Sequence, residues 1–302
     1  MTSHTKSALA QYQQALQSFC IEAKLNHKFL QTALKWYLPL LDNKLLHQVN
    51  AKRPVFIGVN GSQGSGKTSL TACLAYLTNN CTPYSALTMS LDDFYLSRQH
   101  RQDLAQTIHP LLATRGVPGT HDTDKLATCF ELLEQGAEVS IPRFDKASDN
   151  PFPAEQAEQI TAKLDFIFVE GWCWGATPQT TKALQEPINR LEAEQDRGGE
   201  WRRFVNQSLA QNYLPLYQHM QYWIMLQAPS FDVVYQWRCE QEGQLRQARQ
   251  SDAQHIMSDA QIASFIAYFQ RLTEHCLRTL PPQVDCCFTL NTARQITQVN
   301  YQ

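Results

Sequence analysis

The chain has 302 residues, with 26 Lys and Arg against 28 Asp and Glu, so its net charge of −2 offers no basic field for a polyanionic backbone and nucleic acid is not an expected partner. No run approaches the roughly 20 apolar residues that span a bilayer, and the N-terminus (Met1-Thr2-Ser3-His4-Thr5-Lys6) lacks the apolar core of a signal peptide, which points away from membranes and toward the cytoplasm. Nine cysteines without a C-x-x-C pair argue against both a disulfide framework and a zinc site.

Residues 7–50 read as two helices, with apolar positions at Leu9, Leu16, Phe19, Phe29, Ala33, Trp36, Leu40 and Leu45, and Pro39 is expected to bend or break the second. Residues 1–50 are thus expected to form a helical extension packed on a core domain spanning 51–302. That domain opens with Val55-Phe56-Ile57-Gly58-Val59, which is short, apolar and β-branched like a buried parallel strand. Next comes Gly61-Ser62-Gln63-Gly64-Ser65-Gly66-Lys67-Thr68, which matches G-x-x-x-x-G-K-[ST] at every fixed position. Ser69 then begins a stretch with helical spacing of apolar residues. A glycine-rich loop between a strand and a helix turns successive N–H groups toward a phosphate, and the helix N-terminus adds partial positive charge. The expected ligand is a nucleoside triphosphate, with Gly61 to Ser69 around it. Lys67 would lie over the β/γ-phosphates and the Thr68 hydroxyl would bind Mg²⁺.

Strands are predicted at 54–59, 86–91, 138–142, 164–169, 222–226 or 231–235, and 284–290, and helices at 67–78, 122–135, 235–249 and 258–279. Such alternation implies an α/β fold, a mostly parallel sheet with helices on both faces. Ligands in such folds collect at the carboxyl ends of the strands. Ala86 to Leu91 ends there in Asp92-Asp93-Phe94-Tyr95, where a carboxylate can take a proton from an attacking hydroxyl or contact a metal, although paired acids can equally cap a helix. The chemistry needs one base, assigned to Asp92, with Asp93 as cap or partner. Leu164 to Val169 ends in Glu170-Gly171-Trp172, an apolar run delivering one acid to the metal region. Trp172, Cys173 and Trp174 would wall the acceptor pocket or join the core. Asp122 could simply N-cap the helix that starts there, and Arg238 with Glu242 could be an i,i+4 surface pair.

The phosphate loop, S-L-D-D-F-Y-L, R-G-V-P-G-T-H-D, P-R-F-D-K, V-E-G-W-C-W-G and Q-W-R-x-x-Q-E-x-x-L-R follow one another over about residues 54–295. Together they resemble the P-loop kinase group that includes plant-type D-glycerate 3-kinase and is related to pantothenate kinase, uridine kinase and phosphoribulokinase. The resemblance implies the P-loop NTPase fold, with ATP and Mg²⁺ as cofactors. It places the catalytic base at Asp92 and a second catalytic, metal-region acid at Glu170, so that Thr68, Asp92 and Glu170 form the metal set. Asp93, Tyr95, Arg115, His121 and Asp122, and the hairpin residues Arg143, Asp145 and Lys146, fall on the acceptor side. Arg238 and Arg246 match an arginine-bearing lid helix over the phosphates, and Arg294 falls beside the adenine.

The expected activity is transfer of the γ-phosphoryl group of ATP to a hydroxyl of a small metabolite, D-glycerate first, whose carboxylate Arg115 or Arg143 could grip with two parallel hydrogen bonds. Pantothenate, a nucleoside or another sugar acid are the alternative acceptors. A guanine-reading N-K-x-D or T-K-x-D motif is absent, which argues against a GTPase switch. A nucleotide-binding regulator without transfer chemistry would have no use for Asp92 and Glu170.

Overall fold

A computed structural model describes residues 3–49, 53–248 and 259–302. In chain order the strands are β1 (Val55–Gly61), β2 (Ala86–Ser90), β3 (Val139–Ile141), β4 (Phe144–Asp145), β5 (Asn150–Pro151), β6 (Glu158–Ile160), β7 (Phe166–Gly171), β8 (Met220–Gln227), β9 (Cys286–Leu290) and β10 (Ile296–Tyr301). Six of them make the central sheet in the order β10-β9-β8-β1-β7-β2, parallel throughout except for the β9–β10 hairpin. The helix Lys67–Cys81 packs on β1, β2 and β7. All seven residues of β1 are buried, as a continuous apolar run at the centre of a parallel sheet requires.

Two expectations change here. The run 138–142 does not enter the central sheet: β3 pairs antiparallel with β6 in a separate two-stranded sheet. A parallel partner needs a crossover of a dozen residues or more, usually helical, and the short segment after Ile141 starts with Pro142 and folds into the β4–β5 hairpin instead. Of the two alternatives near residue 230, β8 is the strand, and Val233 and Val234 lie in the helix Phe231–Ala248. There the Ser230 hydroxyl accepts the Val233 N–H, outweighing the β-preference of two valines.

The N-terminal segment is helical from Ser3–Glu22 and again from His27 to Gln48. Pro39 does not break the second stretch, because the turns on both sides of it widen to π geometry, with Leu38 N–H bonding Ala33 O and Leu46 N–H bonding Leu41 O. That spacing absorbs the hydrogen bond a proline cannot donate. Leu16, Phe19, Tyr37, Leu40, Leu41 and Leu45 are buried in the same apolar cluster as β1. Phe19 packs on Tyr76 at 5.2 Å and Tyr37 on Phe288 at 6.0 Å between ring centroids. The nine cysteines are free thiols and most are buried, Cys286 and Cys287 among them.

Candidate active site

Strand register gathers the candidate residues. Glu170 on β7 pairs with Val59 of β1 on one side and Ser90 of β2 on the other, so it lies between the strand that leads into the phosphate loop and the strand that leads to Asp92. In the loop, Gly66 caps the helix Lys67–Cys81 at φ +94, a left-handed conformation that glycine adopts without strain. Ser65 N–H bonds Ser62 O at 3.1 Å and Leu70 N–H bonds Gly66 O at 2.9 Å, which folds the loop back on the helix start. The Ser62 and Ser65 hydroxyls and the Gln63 side-chain amide oxygen Oε1 are buried without a hydrogen-bond partner among the described residues. Unpaired buried polar atoms are costly, and the two hydroxyl donors left open in this loop fit a phosphate-bearing ligand that would pair them.

Thr68 Oγ1 donates to Glu170 Oε1 at 2.8 Å, and the other carboxylate oxygen is 3.7 Å from the Lys67 ammonium. A hydroxyl and a carboxylate side by side are hard oxygen donors of the kind Mg²⁺ takes. Among the described residues no group of three or more His, Cys, Asp or Glu is arranged to hold a metal ion.

Asp92 faces a cavity of about 180 Å³ lined by Gln63, Lys67, Asp92, Tyr95, Arg115 and Lys146, with Trp172, Arg238, Phe265 and Phe269 on the remaining sides. Its Oδ1 accepts the Tyr95 hydroxyl at 2.7 Å and its Oδ2 accepts the Lys146 ammonium at 2.6 Å. Burial alone would raise this carboxyl, but the charges of Lys146 and Lys67 and the two hydrogen bonds outweigh it and hold it at about 2. Arg238 lies with its guanidinium 5.5 Å from the Phe265 ring. Trp172 donates its indole N–H to Gly116 O at 2.8 Å and meets Phe269 edge-on at 5.0 Å, forming the apolar wall, whereas Trp174 is core, packed on Phe130, Tyr217 and Trp223.

Other residues expected on the acceptor side are committed elsewhere. Asp93 accepts Arg143 Nη1 at 2.7 Å and Phe144 N–H at 3.4 Å, and Arg143 also pairs with Glu158, so both charges fasten the hairpin to the end of β2. Asp145 accepts the N–H groups of Ala147 and Ser148 and shapes the hairpin turn. Asp122 is the N-cap of Thr123–Gln135, accepting Lys125 N–H at 3.0 Å. His121 stacks behind Tyr95 with ring centroids 4.7 Å apart and bonds the Tyr213 hydroxyl through Nδ1 at 2.6 Å. Burial lowers its pKa to about 3 despite the opposing charge of Asp92, so the imidazole is neutral. His121 and Asp122 line a neighbouring cavity, with Asn212, Gln211 and Phe204. The side chain of Arg246 lies outside the described residues.

Arg294 has φ +60, donates Nε to Gly64 O at 3.1 Å and Nη2 to Trp237 O at 3.3 Å, and pairs with Glu240 at 2.7 Å. It thereby ties the phosphate loop to the helix that carries Arg238. Sequence reasoning missed Phe265 and Phe269, which come from a distant helix and carry no motif. It missed Asn60 as well, which is buried and donates to Trp172 O and Trp174 O at 3.3 and 2.8 Å, fixing the chain after Glu170.

No family model matches the chain. The uncharacterized kinase mug58 of Schizosaccharomyces pombe is 30% identical over 242 residues, covering 77% of this chain and 84% of that protein. The chloroplastic D-glycerate 3-kinase of Arabidopsis thaliana is 27% identical over 269 residues, which is 81% of this chain and 54% of the plant protein, so the chain spans about half the length of that relative. A solved structure of D-glycerate 3-kinase from Cryptococcus neoformans var. grubii superposes with a TM-score of 0.71 at 24% identity, covering 92% of this chain and 100% of that one, and shares its fold. With the phosphate loop, the paired acid-bearing strands and these relatives together, the chain belongs to the P-loop small-molecule kinases, in the group related to plant-type D-glycerate 3-kinase.

Proposed function

We propose that this kinase uses ATP and Mg²⁺ to phosphorylate a hydroxyl of D-glycerate. The observation that carries this reading is the cavity beside Lys67, about 180 Å³ in volume, where Arg115 and Lys146 accompany the single carboxylate Asp92. Drug-sized ligands occupy pockets of roughly 300–1,000 Å³, so the space suits an acceptor smaller than a nucleoside. Two cations suit an acid, and the carboxylate suits the hydroxyl proton that must leave.

In this reading Asp92 takes the acceptor's proton while Arg115 and Lys146 hold its carboxylate. Residues Gly61 to Ser69 hold the triphosphate, Arg294 borders the nucleotide, and Lys67 and Arg238 neutralise charge on the transferring group. Thr68 and Glu170, with Asp92, would hold Mg²⁺, which supplies charge neutralisation at the phosphates when bound. A second reading, another small acid bearing an apolar group, is favoured by the wall of Trp172, Phe265 and Phe269, which D-glycerate would not fill.

A coupled ADP-release assay over small hydroxy acids, nucleosides and vitamins separates these readings. D-glycerate should give the highest kcat/KM, and acceptor-independent ADP release would sink the kinase reading altogether. Asp92→Asn should lower kcat by roughly 10²–10⁴ with ATP binding retained. Unchanged turnover in that variant would remove Asp92 as the base.

A further inference from the structure

Asp149 closes the hairpin that carries Lys146, with φ +60. Its carboxylate is shared by two guanidinium groups from different segments: Arg101 Nη2 lies 2.6 Å from Oδ2, and Arg115 Nη1 pairs with Oδ1. Arg101 is only 1% exposed. It also donates Nε to Leu96 O at 3.1 Å, Nη1 to Ala113 O at 2.9 Å and Nη2 to Asp149 O at 3.1 Å. One buried cation thus joins the chain after β2, the loop leading to Arg115 and the hairpin turn. Arg115 is the open arm of this cluster, part-exposed on the cavity beside Lys146, with its guanidinium 5.6 Å from the Phe144 ring.

Charge counting explains two arginines on one carboxylate. Arg115 and Asp149 alone would make a neutral pair with little attraction for an anion, whereas Arg101 returns the cluster to a net charge of +1 and leaves Asp149 free to orient Arg115. Orientation matters because a planar guanidinium recognises an anion by two parallel hydrogen bonds, and a preset fork loses less entropy on binding.

We propose that Asp149, anchored by the buried Arg101, is a positioning residue that presets Arg115 to grip the anionic group of a small acidic acceptor. The proposal rests on the assignment of Arg115 as the acceptor's anion ligand. Asp149 is not among the residues lining the cavity, so its effect on the acceptor is exerted through Arg115.

Steady-state kinetics with D-glycerate and ATP test this on the full chain, using Arg115→Gln, Asp149→Gly and the double variant. Glycine accepts the left-handed backbone at position 149, so the turn survives while the carboxylate is lost, and Asp149→Asn serves as a second variant that keeps the side-chain shape. Each single substitution should raise the D-glycerate KM about tenfold or more with the ATP KM within about twofold, and the double variant should be no worse than Arg115→Gln by more than about twofold. Arg115→Gln raising KM while both Asp149 variants leave it unchanged would overturn the positioning role alone, as would multiplicative losses in the double variant. An unchanged D-glycerate KM in Arg115→Gln would overturn the assignment of Arg115 itself, a separate and distinguishable failure.

Discussion

The Lys146 ammonium reaches over the cavity from a hairpin turn and makes a 2.6 Å contact with Asp92. Burial pushes the Asp92 carboxyl up, and Lys146 is the largest of the influences that bring it down to about 2. A carboxyl lowered in the folded state stays ionised well below its ordinary range, so its stabilising contribution is complete above about pH 4 and is lost as pH falls through 2. The base is therefore ionised at every workable pH, and kcat/KM of the wild type should show no acid limb from Asp92 above about pH 4. Lys146→Met removes the leading downward influence, so an acid limb should move up into the range measured between about pH 4 and 7. A profile that keeps its wild-type shape would mean that Lys146 does not set the basicity of Asp92. The same contact shows what a motif can carry. P-R-F-D-K pointed to this hairpin, but only the fold distinguishes Lys146, aimed at Asp92, from Arg143, which Asp93 and Glu158 hold away from the cavity.

Elements differed in how plainly the sequence announced them, and burial explains the difference. β1 and β7 are parallel and buried throughout, so each reads as an apolar run and Glu170 falls at the end of the second, whereas β2 is a half-buried edge strand whose Asp92 is legible from the acid pair that follows it, and Lys67 from the phosphate-loop pattern. β10 is mostly exposed at the opposite sheet edge and carries no such run. The cavity wall was less legible still, because it forms where the loop around Gly116 meets the helix Asp259–Thr279. Gly116 sits at φ +128, and a Cβ there would lie 2.6 Å from Phe269 Cε1. Its carbonyl also anchors the Trp172 indole. Gly116→Ala should therefore cost about 1–3 kcal/mol in urea unfolding through strain and overpacking, and should raise the acceptor KM as Phe269 and Trp172 give way. Stability and KM both at wild-type values would show that this loop and helix part without cost.

Across the whole molecule, the N-terminal helices and the sheet share one apolar cluster, so their stabilities are expected to be linked. Leu40 is fully buried in it, along with Leu41 and Leu45, and Tyr37 reaches Phe288 on β9. Leu40→Ala leaves a cavity at that junction and should cost about 2–5 kcal/mol. Five of the six tryptophans lie outside residues 1–50, so intrinsic fluorescence reports mainly on the sheet and its helices, while far-UV circular dichroism also weights the N-terminal helices. If the helices and the sheet unfold together, the two urea curves coincide in the wild type and move together to lower urea in Leu40→Ala. Separate curves, with only the dichroism transition moved by the substitution, would make residues 3–48 an independent unit resting on the kinase core. Coincident curves would instead make the N-terminal helices part of what keeps β1, and through it the phosphate loop, in register with β7 and Glu170.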